Sequence, residues 1–168
     1  MFELRKPKRL HEIDTFILDE PVTSGVALGN GVKLFFEGDA KLLSVAAQDG
    51  LRISIAGAGL EFVSLAVDLP GDILLALDAD QLVGLQVETS GSVAATATAR
   101  LNLEFGGLVQ SQTEPTEAGG LAEFDLSYLN FDASSLSHSW IDFIWAHPEP
   151  GEITICGIAV FTRTRATL

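Results

Sequence analysis

The chain has little of what most catalytic sites are built from: one cysteine and three histidines in 168 residues. Cys156 alone excludes an intrachain disulfide framework, and its apolar setting, ITICGIAV, predicts a small buried side chain rather than a reactive thiol. His11, His138 and His147 are scattered, with no H-x-H or H-E-x-x-H spacing to hold a transition metal. A G-x-S-x-G elbow and a Gly-rich phosphate loop are also missing, and Cys156 has no local catalytic context. Carboxylate pairs of the kind a glycosidase uses are abundant, but 23 acidic residues bring such pairs about by chance. A non-catalytic protein is therefore expected.

Basic residues are scarce as well, 10 against 23 acids for a net charge of -13, and Arg5, Lys6, Lys8 and Arg9 sit together at the start. The remaining body is strongly acidic and repels phosphate backbones, which argues against a nucleic-acid partner. Long apolar runs are lacking too. Asp, Glu or Arg interrupts every stretch before the roughly 18 apolar residues that a membrane span requires. The basic start runs into His11-Glu12-Ile13-Asp14 where a signal peptide needs an apolar segment, so the expected address is the cytoplasm.

What the chain does have is alternation. In Val93 to Phe105, Ala97, Ala99, Leu101, Leu103 and Phe105 fall on one side, and Thr96, Thr98, Arg100, Asn102 and Glu104 on the other. That period of two marks a strand with one buried face. Residues 1–12 read as a charged lead-in, and 13–168 as a single domain of a size that fills one core. Gly29-Asn30-Gly31 between two apolar runs predicts a hairpin over residues 25–39, because Gly and Asn tolerate positive φ. Lys41 to Ala47 is ambiguous between strand and helical turn.

From Leu51 onward strands dominate: Leu51 to Ile55, Glu61 to Leu69, then Val83 to Val87 with the same design as the strand after it. Ile73 to Leu77 is short and continuously apolar, which fits a buried strand but also a buried helical turn. Gln110 to Gly120 reads as a polar loop, and Leu121 to Phe131 as a strand with Phe124, Leu126 and Tyr128 on one face. In 138-HSWIDFIWAH-147 the side carrying Ile141, Phe143 and Trp145 is apolar, so His138, Trp140 and Asp142 face away from the core. Glu152 to Phe161 is apolar on both faces, as in a strand at the centre of a sandwich.

Some ten short strands with turn signals and almost no helical periodicity predict an all-β fold, an antiparallel β-sandwich of jelly-roll type. The stretches 123-EFDLSYLNFD-132 and 140-WIDFIWAHPEPGEITICGIAVFTR-163 resemble the closing strands of galactose-binding-like jelly rolls, in which a strand ending near Pro precedes an I-x-I-x-x-I-x-V strand. With 62-FVSLAVDLP-70 and 100-RLNLEF-105, the layout also resembles an uncharacterised bacterial family of similar size, over about residues 50–168. The resemblance speaks to fold rather than activity. It also permits a structural calcium, for which Asp68, Asp72, Asp78 and Asp80 around Pro70-Gly71 are the candidates, although solvated turn aspartates are the simpler explanation.

If the strands near 83–89, 96–105, 121–129 and 138–145 share one sheet, their polar faces pool Gln86, Glu88, Arg100, Asn102, Glu104, Glu123, Asp125, His138, Trp140 and Asp142. Carbohydrate recognition needs an aromatic plane for the sugar's C–H face and donors and acceptors for its hydroxyls. Trp140 is the candidate platform, and Arg100, Asn102, Glu104, Asp125, His138 and Asp142 the polar set. The same residues also suit the wet side of an antiparallel sheet. The rival expectation is a structural jelly roll, a phage-like or oligomeric shell component, with Trp140 or Trp145 at a homo-oligomer interface.

Overall fold

The computed structural model describes residues 8–9, 17–18, 22–29, 31–38, 42–47, 51–91 and 97–165. Two antiparallel sheets face each other. Sheet A runs β11 (Leu121–Asp125), β8 (Gln81–Gly91), β13 (Gly151–Thr164), β6 (Leu51–Ala56), β5 (Leu42–Ala47) and β2 (Ile17–Leu18), with β1 (Lys8–Arg9) also on β13. Sheet B runs β10 (Leu108–Pro115), β9 (Ala97–Phe105), β12 (Leu136–Ala146), β7 (Leu60–Asp68), β4 (Val32–Gly38) and β3 (Val26–Gly29). From β7 onward the chain passes repeatedly between the sheets, giving a jelly-roll sandwich.

The core lies where the inward residues of both sheets meet. Leu51, Ile53, Val83, Leu85, Phe124, Ile155 and Val160 come from sheet A, and Leu34, Leu65, Leu101, Leu103, Ile141 and Phe143 from sheet B, all at 0–2% exposure. Trp145 is 4% exposed and meets Phe143 edge-on at 4.9 Å. Such an arrangement suits the ring quadrupoles and fills the space beneath β12.

Several expectations hold and several do not. The hairpin is present: Gly29 pairs with Val32, and Gly29 and Gly31 have φ of 93° and 73°. Lys41 to Ala47 resolves to strand β5. Residues 93–96 of the expected strand lie outside the described residues. Ile73 to Leu77 is not a strand; Gly71–Leu74 forms one helical turn, α1, begun at Pro70, whose φ of −56° is already set for it. Ile73 and Leu77 are buried, and Leu75 is 92% exposed.

The polar loop expected at 110–120 is largely edge strand β10, paired with β9 from Leu108↔Phe105 to Pro115↔Thr98. Its sequence is polar because an edge strand covers little core. Leu121 to Phe131 is strand only to Asp125, after which a 3-10 turn, Leu126–Tyr128, breaks the alternation and leaves Tyr128 73% exposed. Cys156 is exposed rather than buried. A bulge in β13 between Ile155 and Gly157 lets Ile155 and Ile158 both point inward, so Cys156 falls on the outer side. That strand does sit centrally in sheet A, between β8 and β6. Its outward Phe161 ring lies over Gly84 on the neighbouring strand, where a β-carbon would collide with it.

Candidate functional site

The outer face of sheet B carries a groove, and its cause is the size of the residues along β7. Phe62, Ser64, Ala66 and Asp68 point outward from that strand, so its middle is low. On the β4 side stand Lys33 and Phe35, paired with Ala66 and Ser64. On the β12 side stand Trp140, Asp142 and Ile144, paired with Asp68, Ala66 and Ser64. The walls cover the floor: Ser64 and Ala66 are 5% and 7% exposed although they face away from the core. The cavity measures about 520 Å³ and is lined by these residues with Arg100 and His138. From Phe62 to Asp68 it extends about 20 Å at the ~3.3 Å rise of a strand.

One end is aromatic and polar. His138 lies within a bulge of β12, between Leu136 and Ser139, and reaches Asp68 of β7. Its Nε2 lies 2.9 Å from Asp68 Oδ1, and its ring stacks on Trp140 at 5.0 Å with 19° between planes. Gly31 makes room for Asp68, since a β-carbon there would press on the aspartate side chain, and the Asp68 N–H donates to Gly31 O at 2.8 Å.

The middle is charged. Arg100 donates to Asp142 Oδ2 from Nε at 3.1 Å and from Nη2 at 2.8 Å, and Asn102 Nδ2 donates to the same oxygen at 3.0 Å. Asn102 also donates to Arg100 O at 3.2 Å and accepts from Ser111 Oγ at 2.7 Å. Three donors on one carboxylate oxygen compensate its burial. Asn102 is only 3% exposed. It orients Asp142, while Arg100, His138, Trp140 and Lys33 present the reachable surface.

Arg100, Asn102, His138, Trp140 and Asp142 thus come together. The single polar sheet expected from the sequence is overturned by the topology: β8 and β11 belong to sheet A, which removes Gln86, Glu88, Glu123 and Asp125 from this face. Asp125 accepts from the Ser127 N–H at 3.0 Å and Ser127 Oγ at 2.7 Å, starting the 3-10 turn, and lies 3.4 Å from Arg165. Those hydroxyl and amide donors hold its carboxyl below the usual aspartate range. Glu123 is bound in two places by Arg163, at 2.7 and 2.8 Å, which lowers the pKa of Glu123 and raises that of Arg163. Glu104 is on sheet B but outside the groove lining, beside the bulge, where its backbone oxygen accepts from Ser137 Oγ at 3.2 Å.

Sequence reasoning missed Lys33, Phe35, Phe62, Ser64 and Asp68. The signal was there in 62-FVSLAVD-68, where every second residue shrinks from Phe to Ser to Ala before Asp. Among the described residues no three His, Cys, Asp or Glu side chains come together as a metal set, and Asp68 of the calcium candidates is turned into the groove. No helix is long and apolar enough to cross a membrane among the described residues.

Fold and groove define an antiparallel jelly-roll sandwich with an open trough on one sheet. The chain belongs to the family of unknown function DUF6478, which it matches over residues 18–168. No curated protein matches the sequence. Among solved structures it is similar to the enzymatically active domain of tailspike protein 4 of bacteriophage CBA120, at 10% identity and a TM-score of 0.50 over 82% of this chain. The chain spans 21% of the length of that domain, and the likeness is one of fold. It is also similar to the xylan-binding module CBM15, at 15% identity, a TM-score of 0.43, and 91% and 100% of the two chains. TmCBM61 in complex with β-1,4-galactotriose gives 15% identity, a TM-score of 0.39, and 77% and 88% of the two chains.

Proposed function

We propose that the sheet B groove binds a linear glycan without cleaving it. The observation that carries this is the groove's construction: a floor of Ser64 and Ala66, covered by taller neighbours, leading to Trp140 with His138 stacked on it. An extended, open trough accepts a chain rather than a compact cofactor. The indole and the Phe35 and Phe62 rings supply apolar planes for sugar C–H faces, and Arg100, Lys33, Asp68 and His138 supply hydroxyl partners.

Titration of the full chain with soluble oligosaccharides, read by tryptophan fluorescence and calorimetry, tests the reading. Binding that disappears in Trp140→Ala while the unfolding midpoint stays close to wild type is the expected result. A full set of plant, fungal and bacterial oligosaccharides that all fail to bind would overturn it.

A second reading, a subunit of a larger assembly, is favoured by Leu108 and Val109, 68% and 52% exposed where β10 begins, and by the exposed Tyr128. Mass measurement in solution tests it, and a monomer at every concentration removes it.

A further inference from the structure

We infer that the glycan carries carboxylates, and that the middle of the groove selects a uronic acid residue; this rests on the glycan-binding reading above. The residues that decide it form one row across the sheet, Lys33, Ala66, Asp142 and Arg100, each paired with the next on the adjacent strand. Lys33 and Arg100 therefore stand on opposite sides of the low floor, roughly 14 Å apart at the backbone for three strand spacings. Two long basic side chains leaning inward leave room there for one sugar ring.

Accessibility fixes the sign of this row. The Arg100 side chain is 48% exposed and that of Asp142 only 10%, so the ion pair presents its cation and hides its anion. Two of the five guanidinium N–H donors are used on Asp142. Lys33 is exposed and has no ion-pair partner among the described residues. The reachable charge in mid-groove is thus positive, on a chain whose net charge is -13.

The rest of the molecule then limits how acidic the ligand can be. A densely sulfated or phosphorylated polymer meets repulsion from the acidic body over the ~8–10 Å reach of unscreened charge at physiological salt. A single planar carboxylate seated between Lys33 and Arg100 gains the local attraction, with charge-assisted hydrogen bonds, and brings little charge elsewhere.

The experiment compares uronic-acid tetrasaccharides (galacturonic, glucuronic and mannuronic) with the same tetrasaccharides after carboxyl reduction, on the full chain and on Lys33→Met. At least one acidic form should bind about tenfold more tightly than its reduced partner at low salt, with the ratio shrinking in 0.5 M NaCl. Lys33→Met should cut acid binding severalfold and weaken binding of the reduced form much less, so that the acid-to-reduced ratio falls towards one. Reduced forms binding as tightly as the acids, or Lys33→Met weakening both equally, would overturn the inference and leave the glycan groove intact. Failure of both forms to bind, while another oligosaccharide does, overturns the inference alone; failure of every oligosaccharide sinks both readings.

Discussion

Trp140 and Trp145 are five residues apart on one strand, an odd spacing that sends them to opposite faces when no bulge intervenes. The only register shift in β12 lies before Ser139, so the rule applies: Trp145 enters the core against Phe143, and Trp140 stands in the groove. Trp145→Ala is expected to cost about 3–5 kcal/mol in chemical denaturation as a core truncation. Trp140→Ala should cost well under half of that. Equal losses for the two would place Trp140 in the core and remove the groove's main platform. Asp142 is a different kind of residue, polar and nearly covered. Asp142→Ala strands Arg100 and Asn102 without their shared acceptor and should cost about 1–3 kcal/mol. Thermal melts of Asp142→Asn, which keeps an acceptor oxygen, should show a smaller loss.

The elements show where the sequence was readable and where it was not. β9, β7 from Phe62 on and β12 from Ser139 on alternate because each keeps a buried face there, and their inward residues follow from period two; register shifts interrupt β7 and β12 ahead of those residues. β10 resembles a loop in sequence because Gln110, Gln112 and Glu114 occupy the inward positions of an edge strand, where half-burial replaces core packing. β8 and β9 look alike in sequence yet lie in different sheets. Alternation gives the orientation of a strand's faces and carries no information on its neighbours, so Gln86, Glu88, Glu123 and Asp125 of the expected polar set lie on the other sheet. The groove itself depends on side-chain height across three strands, a property of pairing and not of any one segment. In sheet A, the same pairing logic puts Phe161 over Gly84. Gly84→Ala should then destabilise by about 1–3 kcal/mol through overpacking. Most of that loss should return in the double variant with Phe161→Ala, measured as a double-mutant cycle; additive losses would mean that the two residues do not touch.

Acid sensitivity belongs to the molecule as a whole, because the anchored carboxylates tie down one end of the sandwich and the turns before β12. Glu123 joins β11 to Arg163 of β13, Asp125 starts the turn that follows, and Asp132 accepts from the Ser134 N–H at 3.0 Å and Ser134 Oγ at 2.7 Å ahead of β12. All three are shifted to the acid side of their usual values, Glu123 by Arg163, Asp125 by Ser127 and Asp132 by Ser134. A folded-state pKa below the unfolded one means that folding favours the ionised form. The stability this supplies is complete above the unfolded values of 4.5 for Glu123 and 3.8 for the aspartates, and is lost as pH falls through the lower folded values. Protonation of the many other acids lowers self-repulsion over the same range, so the raw stability curve mixes two opposing trends. The difference between wild type and Glu123→Gln separates them, since the repulsion of the remaining acids is nearly common to both. With side chains 31% and 44% exposed, the Glu123–Arg163 pair belongs with surface ion pairs, and the difference should be about 0.5–1 kcal/mol at neutral pH. It should stay flat down to about pH 5, shrink below that, and vanish once the pH has fallen below the lowered folded-state value, where Glu123 is protonated in both states. Urea midpoints at four or five pH values suffice. A difference that grows on acidification would show that Glu123 is stabilised in its protonated form, contrary to the geometry of its pairing with Arg163.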